Sequence, residues 1–483
     1  APRYGWSGIV LAVLIGILPA ISNIKSHVNR RGNWIAHDYA YNLLRSPRPY
    51  SVLFTYGDND TFPVWFLQQV KGYRKFDPVK KKGIKIGNFS LMNTQWYIKE
   101  MIWAGVPMDF ASPFKGTQYE GKYLQERRMG KTNKDFQEWV IDHLYYLRGE
   151  DRSIIYLKDM AVRNIIVSSL GRKPALRDLL MPIDSFVSKY ITEDFNPSIN
   201  IYFSFPMEPG AARKYHKHLV MEGFAYRLVG REDIDMMDKE KMWDLFQKEY
   251  HYSYIDNYGI YTAEAQNKVL NNHSLLLLLF GNKILYDFPT DEWKERKLYE
   301  AEKDTLRMLG TIFKRAFLMA KRSEMSVPII RGLQNVYSIL DETEEMVELS
   351  DWLLSVNDTP LLHLFRGEML LMVAKQEGRT EEAERVLKEA KEEFNGLLSN
   401  KGMEPFAYKG LFDIYSISNN REKMEEIADE MIGKPEVMGN LLSYLIRYDT
   451  AKAIFLLEHW KSRYPGDARI EMLLRKLKKG SGG

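Results

Sequence analysis

One stretch constrains the chain more than any other: residues 50–69, YSVLFTYGDNDTFPVWFLQQ. It opens as an apolar β-type run (Val52, Leu53, Phe54), breaks at Gly57-Asp58-Asn59-Asp60 and restarts as an amphipathic helix carrying Trp65, Phe66 and Leu67. Strand, polar break and helix form the half-unit of parallel α/β sheets. The break falls at the carboxyl end of the strand, where ligands usually bind such sheets. Asp60 or Thr61 is placed to cap the helix, and Pro63 suits its first turn. A cap uses one or two of these polar side chains, so the surplus marks a candidate site.

Residues 84–105, IKIGNFSLMNTQWYIKEMIWAG, repeat the shape. Ile84, Ile86 and Phe89 read as a strand, Asn93-Thr94 as a turn and cap, and Trp96, Tyr97, Ile98 and Met101 as a helix. Tandem units of this kind predict a parallel sheet with right-handed crossovers. Further strands are expected over Ser153–Leu157, Ile199–Phe205 and Phe224–Val229, with Asp159 capping a helix and a helix from Ala211 to Glu222 closed by Gly223. Residues 106–150 read as an irregular, aromatic-rich insertion. Residues 25–230 are thus expected to form a Rossmann-like α/β domain of about five strands.

After Gly230 strand signals give way to helical periodicity. Residues 231–298 read as a helical connector and 299–479 as an all-α, tetratricopeptide-like repeat. Its apolar sets Met346/Leu349/Leu353, Ala383/Val386/Leu387/Ala390, Met424/Ile427/Ala428/Met431 and Ala451/Ile454/Phe455 each follow a polar break. Their offsets, roughly 27 to 41 residues, straddle the 34 of the regular repeat. Such arrays present a concave face to protein partners. Residues 480–483 read as a flexible tail.

Residues 5–22, GWSGIVLAVLIGILPAIS, carry no charge. They approach the length that spans a bilayer, roughly 17 to 25 residues, so residues 1–24 are expected to hold one transmembrane helix. A signal peptide and a buried core helix are the competing readings. Lys25, Arg30 and Arg31 follow it and by themselves favour a cytoplasmic position for the chain after the helix. The basic run 71–85, KGYRKFDPVKKKGIK, reads as a solvated loop or as a contact for anionic headgroups or a pyrophosphate. A net charge of +4 over 483 residues argues against nucleic-acid binding. The absence of Cys removes disulfides, thiolate metal sites and cysteine nucleophiles.

Four motifs together resemble a known family. They are GDNDTFPVWFLQQVKGYRKFDPV, FSLMNTQWYIKEM, SINIYFSF at Ser198–Phe205 and EGFAYRLVG at Glu222–Gly230. Their order and spacing are similar to those of polytopic membrane proteins common in Bacteroidetes, related to a eukaryotic protein O-mannosyltransferase of the secretory pathway. Members join a membrane part of the O-mannosyltransferase type to a soluble C-terminal half. That half opens with a GDNDTFPLWY-like motif and continues with SLLNT-WYI-like, RPIYFA-like and EGLAYRLVP-like segments. The resemblance runs from Ala36 to Gly259 and extends to the helical-repeat tail. It implies an extracytoplasmic, periplasmic-type location, opposite to the charge count. It also implies that the catalytic acid belongs to a multi-helix membrane part. That part either belongs to a longer protein or is lacking, leaving the soluble half another use. The Arg-Pro of the RPIYFA-like strand is not present here.

Asp58, Asn59, Asp60 and Thr61, with Asn93 and Thr94 at the equivalent point of the second unit, are the candidate ligand-binding residues. Oxygen donors of this kind suit a divalent cation, with Asp58 and Asp60 as its ligands, or the hydroxyls of a sugar. A turn and helix cap is the competing reading. His216 and His218 stand two apart, a spacing that does not converge on one point of a helix. Trp65, Trp96 and Tyr97 are expected in the core rather than as sugar-stacking platforms. No nucleophile-elbow, phosphate-loop or dinucleotide motif occurs. Two functions follow as expectations. In one the chain is the extracytoplasmic part of a glycosyltransferase-like membrane protein that binds a glycan, a lipid-linked sugar or an acceptor protein. In the other it is a non-enzymatic, membrane-anchored scaffold that docks through its repeats.

Overall fold

A computed structural model describes residues 13, 15, 17–18, 32–205, 212–230, 235–253, 264–287, 298–320, 323–340, 343–378 and 380–480. The expected transmembrane segment lies outside the described residues, apart from Val13, Ile15, Ile17 and Leu18, which are helical and exposed. So does the tail 481–483. No described helix is long and apolar enough to cross a membrane. The chain divides into two compact units, Ala1–Ile284 and Leu285–Gly483.

The first unit is mixed α/β. Helix α1 (Ile35–Arg45) precedes β1 (Ser51–Thr55), α2 (Asp58–Gln69), β2 (Ile84–Asn88) and α3 (Gln95–Trp103). All five residues of β1 are buried, as a near-continuous apolar run demands of a strand covered on both faces. Phe54 presses so closely on β2 that a Cβ at Gly87 would lie 2.8 Å from its Cδ1, which accounts for glycine there. Helices α4 (Gln118–Arg128) and α5 (Phe136–Asp142) follow, then the small antiparallel pair β3 (Tyr146–Arg148) and β4 (Ile154–Tyr156), and α6 (Leu157–Ser169). The expected irregular insertion is therefore helical in part. Its Phe110, Phe114, Tyr123 and Trp139 join one core with Phe54 and Phe203.

The main sheet completes itself with β5 (Asn200–Ser204), β6 (Leu219–Glu222) and β7 (Ala225–Leu228), in the order β2-β1-β5-β7-β6. β1 is parallel to β2 and β5, but β7 is antiparallel to β5 and to β6. The expected all-parallel, Rossmann-like sheet is thus corrected to a mixed one. The reason lies at residues 211–222, expected as a helix. Arg213–His218 forms a 3₁₀ turn and Leu219–Glu222 is a strand. Gly223 does not end a helix. It sits at φ +70 in the two-residue loop of a tight hairpin, where Glu222 pairs with Ala225. β4, expected to continue the main sheet, pairs among the described strands with β3 alone.

Helices α7 (Leu176–Leu180) and α8 (Ile183–Tyr190) lie between α6 and β5, and helices α9 (Lys239–Asp244) and α10 (Glu264–Asp287) fall within the expected connector. Residues 239–284 belong to the first unit, and His273 packs edge-on against Tyr39 and Phe224.

The second unit is helical: α11 (Glu300–Ala320), α12 (Ser326–Leu340), α13 (Thr343–Val356), α14 (Pro360–Glu377), α15 (Glu381–Leu397), α16 (Glu404–Ile417), α17 (Arg421–Ile432), α18 (Pro435–Tyr448), α19 (Thr450–Arg463) and α20 (Ala468–Gly480). Each helix packs on the next, and the pairs α12 with α14, α14 with α16, α16 with α18 and α17 with α19 also pack on the next but one, as stacked helix pairs do. Phe394 of α15 is gripped between Gly367 of α14 and Gly410 of α16; a Cβ on Gly410 would lie 2.4 Å from its ring. Met346, Leu349 and Leu353 are buried as expected, as are Ala383, Val386 and Ala390. In α19 the inward set is Ala453, Leu456 and Leu457, with Ala451 exposed, so the expected face is rotated.

Candidate functional site

β1 ends at Thr55 and β2 at Asn88, side by side in register. Gly57, at φ 89 and ψ 172, adopts a backbone conformation that is essentially glycine's alone. This lets α2 begin at Asp58, earlier than a cap at Asp60 or Thr61 would allow, and places Pro63 in the helix interior rather than at its first position. Thr61 Oγ1 donates to Gly57 O at 2.8 Å and accepts from Asn88 Nδ2 at 2.8 Å. Its one proton is spent, so Thr55 Oγ1, also at 2.8 Å, is the donor in that pair. Thr61 is saturated and has nothing left for a ligand. Asn88 Oδ1 accepts from the Ser90 and Leu91 N–H groups at 3.0 and 2.9 Å, turning the chain out of β2. Its backbone N–H donates to the Tyr97 hydroxyl, which donates to Ile86 O at 2.9 Å.

Asp60 is 4% exposed, and Tyr39 of α1 is wholly buried. The Tyr39 hydroxyl donates to Asp60 Oδ1 at 2.8 Å, and Oδ2 makes no hydrogen bond among the described residues. Burial pushes the Asp60 carboxyl up to about 6; the Tyr39 bond and the nearby Tyr56 backbone pull the other way and are outweighed. Burial, together with this carboxylate, also lifts the Tyr39 hydroxyl well above its ordinary value. A carboxyl near 6 has the proton affinity of a general base. Here it faces a buried tyrosine.

Asp58 and Asn59 are exposed on the first turn of α2. Residues two apart on a helix do not face one another. Asp58 therefore looks outward and Asp60 inward, and the run does not close as one chelating face. Thr94 Oγ1 donates to Leu91 O at 2.6 Å, without capping α3 through its side chain. Asn93 Oδ1 accepts from the Lys158 N–H of α6 at 3.3 Å. The bonds of this pair thus run to their own turn and to α6, whereas Thr55, Thr61 and Asn88 are the residues that join β1, α2 and β2. Thr55, Asn88 and Tyr39 are not among the candidates that the sequence points to. A polar residue at the end of each apolar run was the signal available for the first two.

An aromatic ridge runs from α2 to α3. Ring centroids step from Phe62 to Trp65 at 5.8 Å, to Tyr97 at 6.3 Å and to Trp96 at 5.4 Å. Tyr97 is buried as expected and Trp65 half-buried, but Trp96 is 56% exposed and Phe62 53%. The expectation of a core position for Trp96 is overturned, because α3 buries Tyr97, Ile98 and Met101 instead. Asp58 and Phe62 stand four apart, and Phe66 another four on, so this carboxylate and two exposed rings share one face of α2.

The other candidates separate. Arg74 in the basic run donates to Leu44 O and Arg45 O at 2.6 and 3.2 Å, closing the end of α1, while Lys71, Lys75, Lys80, Lys81 and Lys82 are exposed. His216 and His218 sit on the 3₁₀ turn, not on a helix; His216 is exposed and His218 is buried. A groove of about 490 Å³ beside α5 is lined by Gln95, Lys134, Trp139, Asp142, His143 and Tyr145, among others.

Neither a curated protein sequence nor a solved structure matches the chain. Residues 36–136, the interval that holds both strand–break–helix units, match the family model described as TMEM260-associated domain 2.

Proposed function

We propose that the chain is the extracytoplasmic, membrane-attached part of a glycosyltransferase-like protein related to the protein O-mannosyltransferases. In this reading Asp58, Asn59 and the Phe62–Trp96 ridge bind the glycan of a glycosylated acceptor or a lipid-linked sugar. The observation that carries it is an outward carboxylate and amide on the same short stretch as exposed aromatic faces. Sugars are recognised by that pairing: hydroxyls bond to Asp and Asn, and the apolar C–H face of the ring lies on an aromatic side chain. The match to a TMEM260-associated domain supports the glycosyltransferase connection. Asp60, Thr61 and Asn88 hold the first turn of α2 in place beneath. The helical array supplies the surface for an acceptor or partner protein.

The test is titration of the full chain with methyl α-mannoside and short mannose oligosaccharides, followed by tryptophan fluorescence and saturation-transfer NMR. Binding that weakens about 10-fold or more in Asp58→Ala and in Trp96→Ala supports the reading, that factor being about 1.4 kcal/mol. Binding indifferent to both substitutions, or no binding to any glycan tried, overturns it. The stacked helix pairs of the second unit favour a scaffold as the second reading. Stoichiometric co-purification with membrane subunits, without glycan binding, is its signature.

A further inference from the structure

We propose that His37, Asp38 and His251 form a binding site for a first-row transition-metal ion, Zn²⁺ in the first instance. The donor atoms of the three side chains all lie within 4.8 Å of one another. His37 Nδ1 and Asp38 Oδ1 are 3.3 Å apart. Donors about 2.0–2.2 Å from one ion are separated by roughly that much, so a small closure around the metal completes the set. Two imidazoles and one carboxylate suit Zn²⁺ or Fe²⁺ rather than Ca²⁺ or Mg²⁺, which prefer all-oxygen shells.

The surroundings are built to hold these three groups. Asp38 is 1% exposed. Its Oδ2 accepts the Ser253 N–H at 2.7 Å, which turns Oδ1 toward His37, its ion-pair partner among the described residues. A buried carboxylate is stabilised by a cation beside it, which a bound metal ion supplies. The backbone of His251 is held on both sides by Asn42, whose Nδ2 donates to His251 O at 2.9 Å and whose Oδ1 accepts the His251 N–H at 2.8 Å. The His251 ring stacks on Tyr41 at 3.7 Å, and Tyr41 stacks on Tyr73 at 4.8 Å. Trp34 meets His37 edge-on at 5.3 Å. Ring orientation and carboxylate direction are thus set by outer contacts before any ion arrives, which is the role of the shell around a metal site. His37 is one-third exposed and His251 is exposed, so the remaining coordination position opens to water. Occupied, the site ties residues 251–253 to the first turn of α1, one residue before Tyr39, the partner of Asp60. This inference does not depend on glycan binding.

The test uses the full chain, stripped with a chelator and titrated with Zn²⁺ against a chromophoric competitor, with Co²⁺ as a spectroscopic probe. One equivalent of Zn²⁺ is expected, with visible Co²⁺ bands. The affinity is expected to fall at least about 10- to 100-fold in His37→Gln and in His251→Gln. Both rings reach solvent, so these variants fold, and circular dichroism checks it. The double variant His216→Gln/His218→Gln is expected to bind as wild type. Wild-type affinity no higher than that of His37→Gln/His251→Gln, or affinity lost instead in the His216/His218 variant, overturns the assignment.

Discussion

Asp60→Asn is the substitution whose effect can be worked furthest from the structure. The carboxyl is held at about 6, against 3.8 for an ordinary aspartate, chiefly by burial. The unfolded chain binds a proton there with the ordinary affinity and the native state binds it more tightly. Below about pH 4 both states are protonated. Between about 4 and 6 the unfolded state releases its proton first, so native stability falls as pH rises, and above about 6 the loss is complete. A difference of about two pH units is worth about 3 kcal/mol. Asparagine keeps an acceptor for the Tyr39 hydroxyl and has no charge to bury. The stability of Asp60→Asn relative to wild type is therefore expected to rise by about 2–3 kcal/mol from pH 4 to pH 7.5. Urea unfolding across that range measures it, and the difference at each pH cancels the other titrating groups. A wild-type-minus-variant difference that stays flat, or that changes in the opposite direction, would refute the buried-carboxylate reasoning. The direction matters for function too: a group that weakens the fold at neutral pH is one that stability alone does not select.

Four further substitutions probe the frame. Asn88→Ala strips the acceptor from the Ser90 and Leu91 N–H groups and the donor from Thr61, and is expected to cost about 1–3 kcal/mol by urea denaturation. In the second unit, Phe394→Ala is expected to cost about 3–5 kcal/mol through the cavity it leaves. Gly410→Ala is expected to cost about 1–3 kcal/mol through the clash it creates; both show in the thermal midpoint. Glu222 is fully buried against Arg48, Arg227, Lys241 and the Tyr202 hydroxyl. Burial raises its carboxyl, but these partners outweigh it and hold it below its ordinary value, so its contribution is present at neutral pH and lost as pH falls below about 4.5. Glu222→Gln is expected to destabilise by about 3–5 kcal/mol at pH 7 and to flatten the acid limb of the stability profile.

The local units were legible in sequence because their signals are local. Val52–Phe54 and Ile84–Ile86 are apolar runs that end in turn chemistry and restart as helices, and both appear where read. Helix pairing in the second half was legible for the same reason, since polar breaks recur between apolar stripes. Leu219–Glu222 reads as the end of a helix because KYHKHLVME carries no strict alternation. Gly223-Phe224, which follows, is the loop that makes it a hairpin strand. The site divided in the same way. A surplus of polar residues after β1 was visible, but whether each side chain pointed to solvent or core was not.

By itself the sequence determined which segments are strand and helix along most of the chain, and that Gly57 begins a break rich in polar groups. It determined these because backbone preference and side-chain period act over a few residues. The tertiary structure alone decided that β7 runs against β5, that Trp96 faces out, that Asp60 turns inward to Tyr39, and that His251 returns to His37 and Asp38. Each of these depends on a partner that is distant in the chain or on another element, and its choice rests on burial and hydrogen-bond completion across the fold rather than on neighbours in sequence.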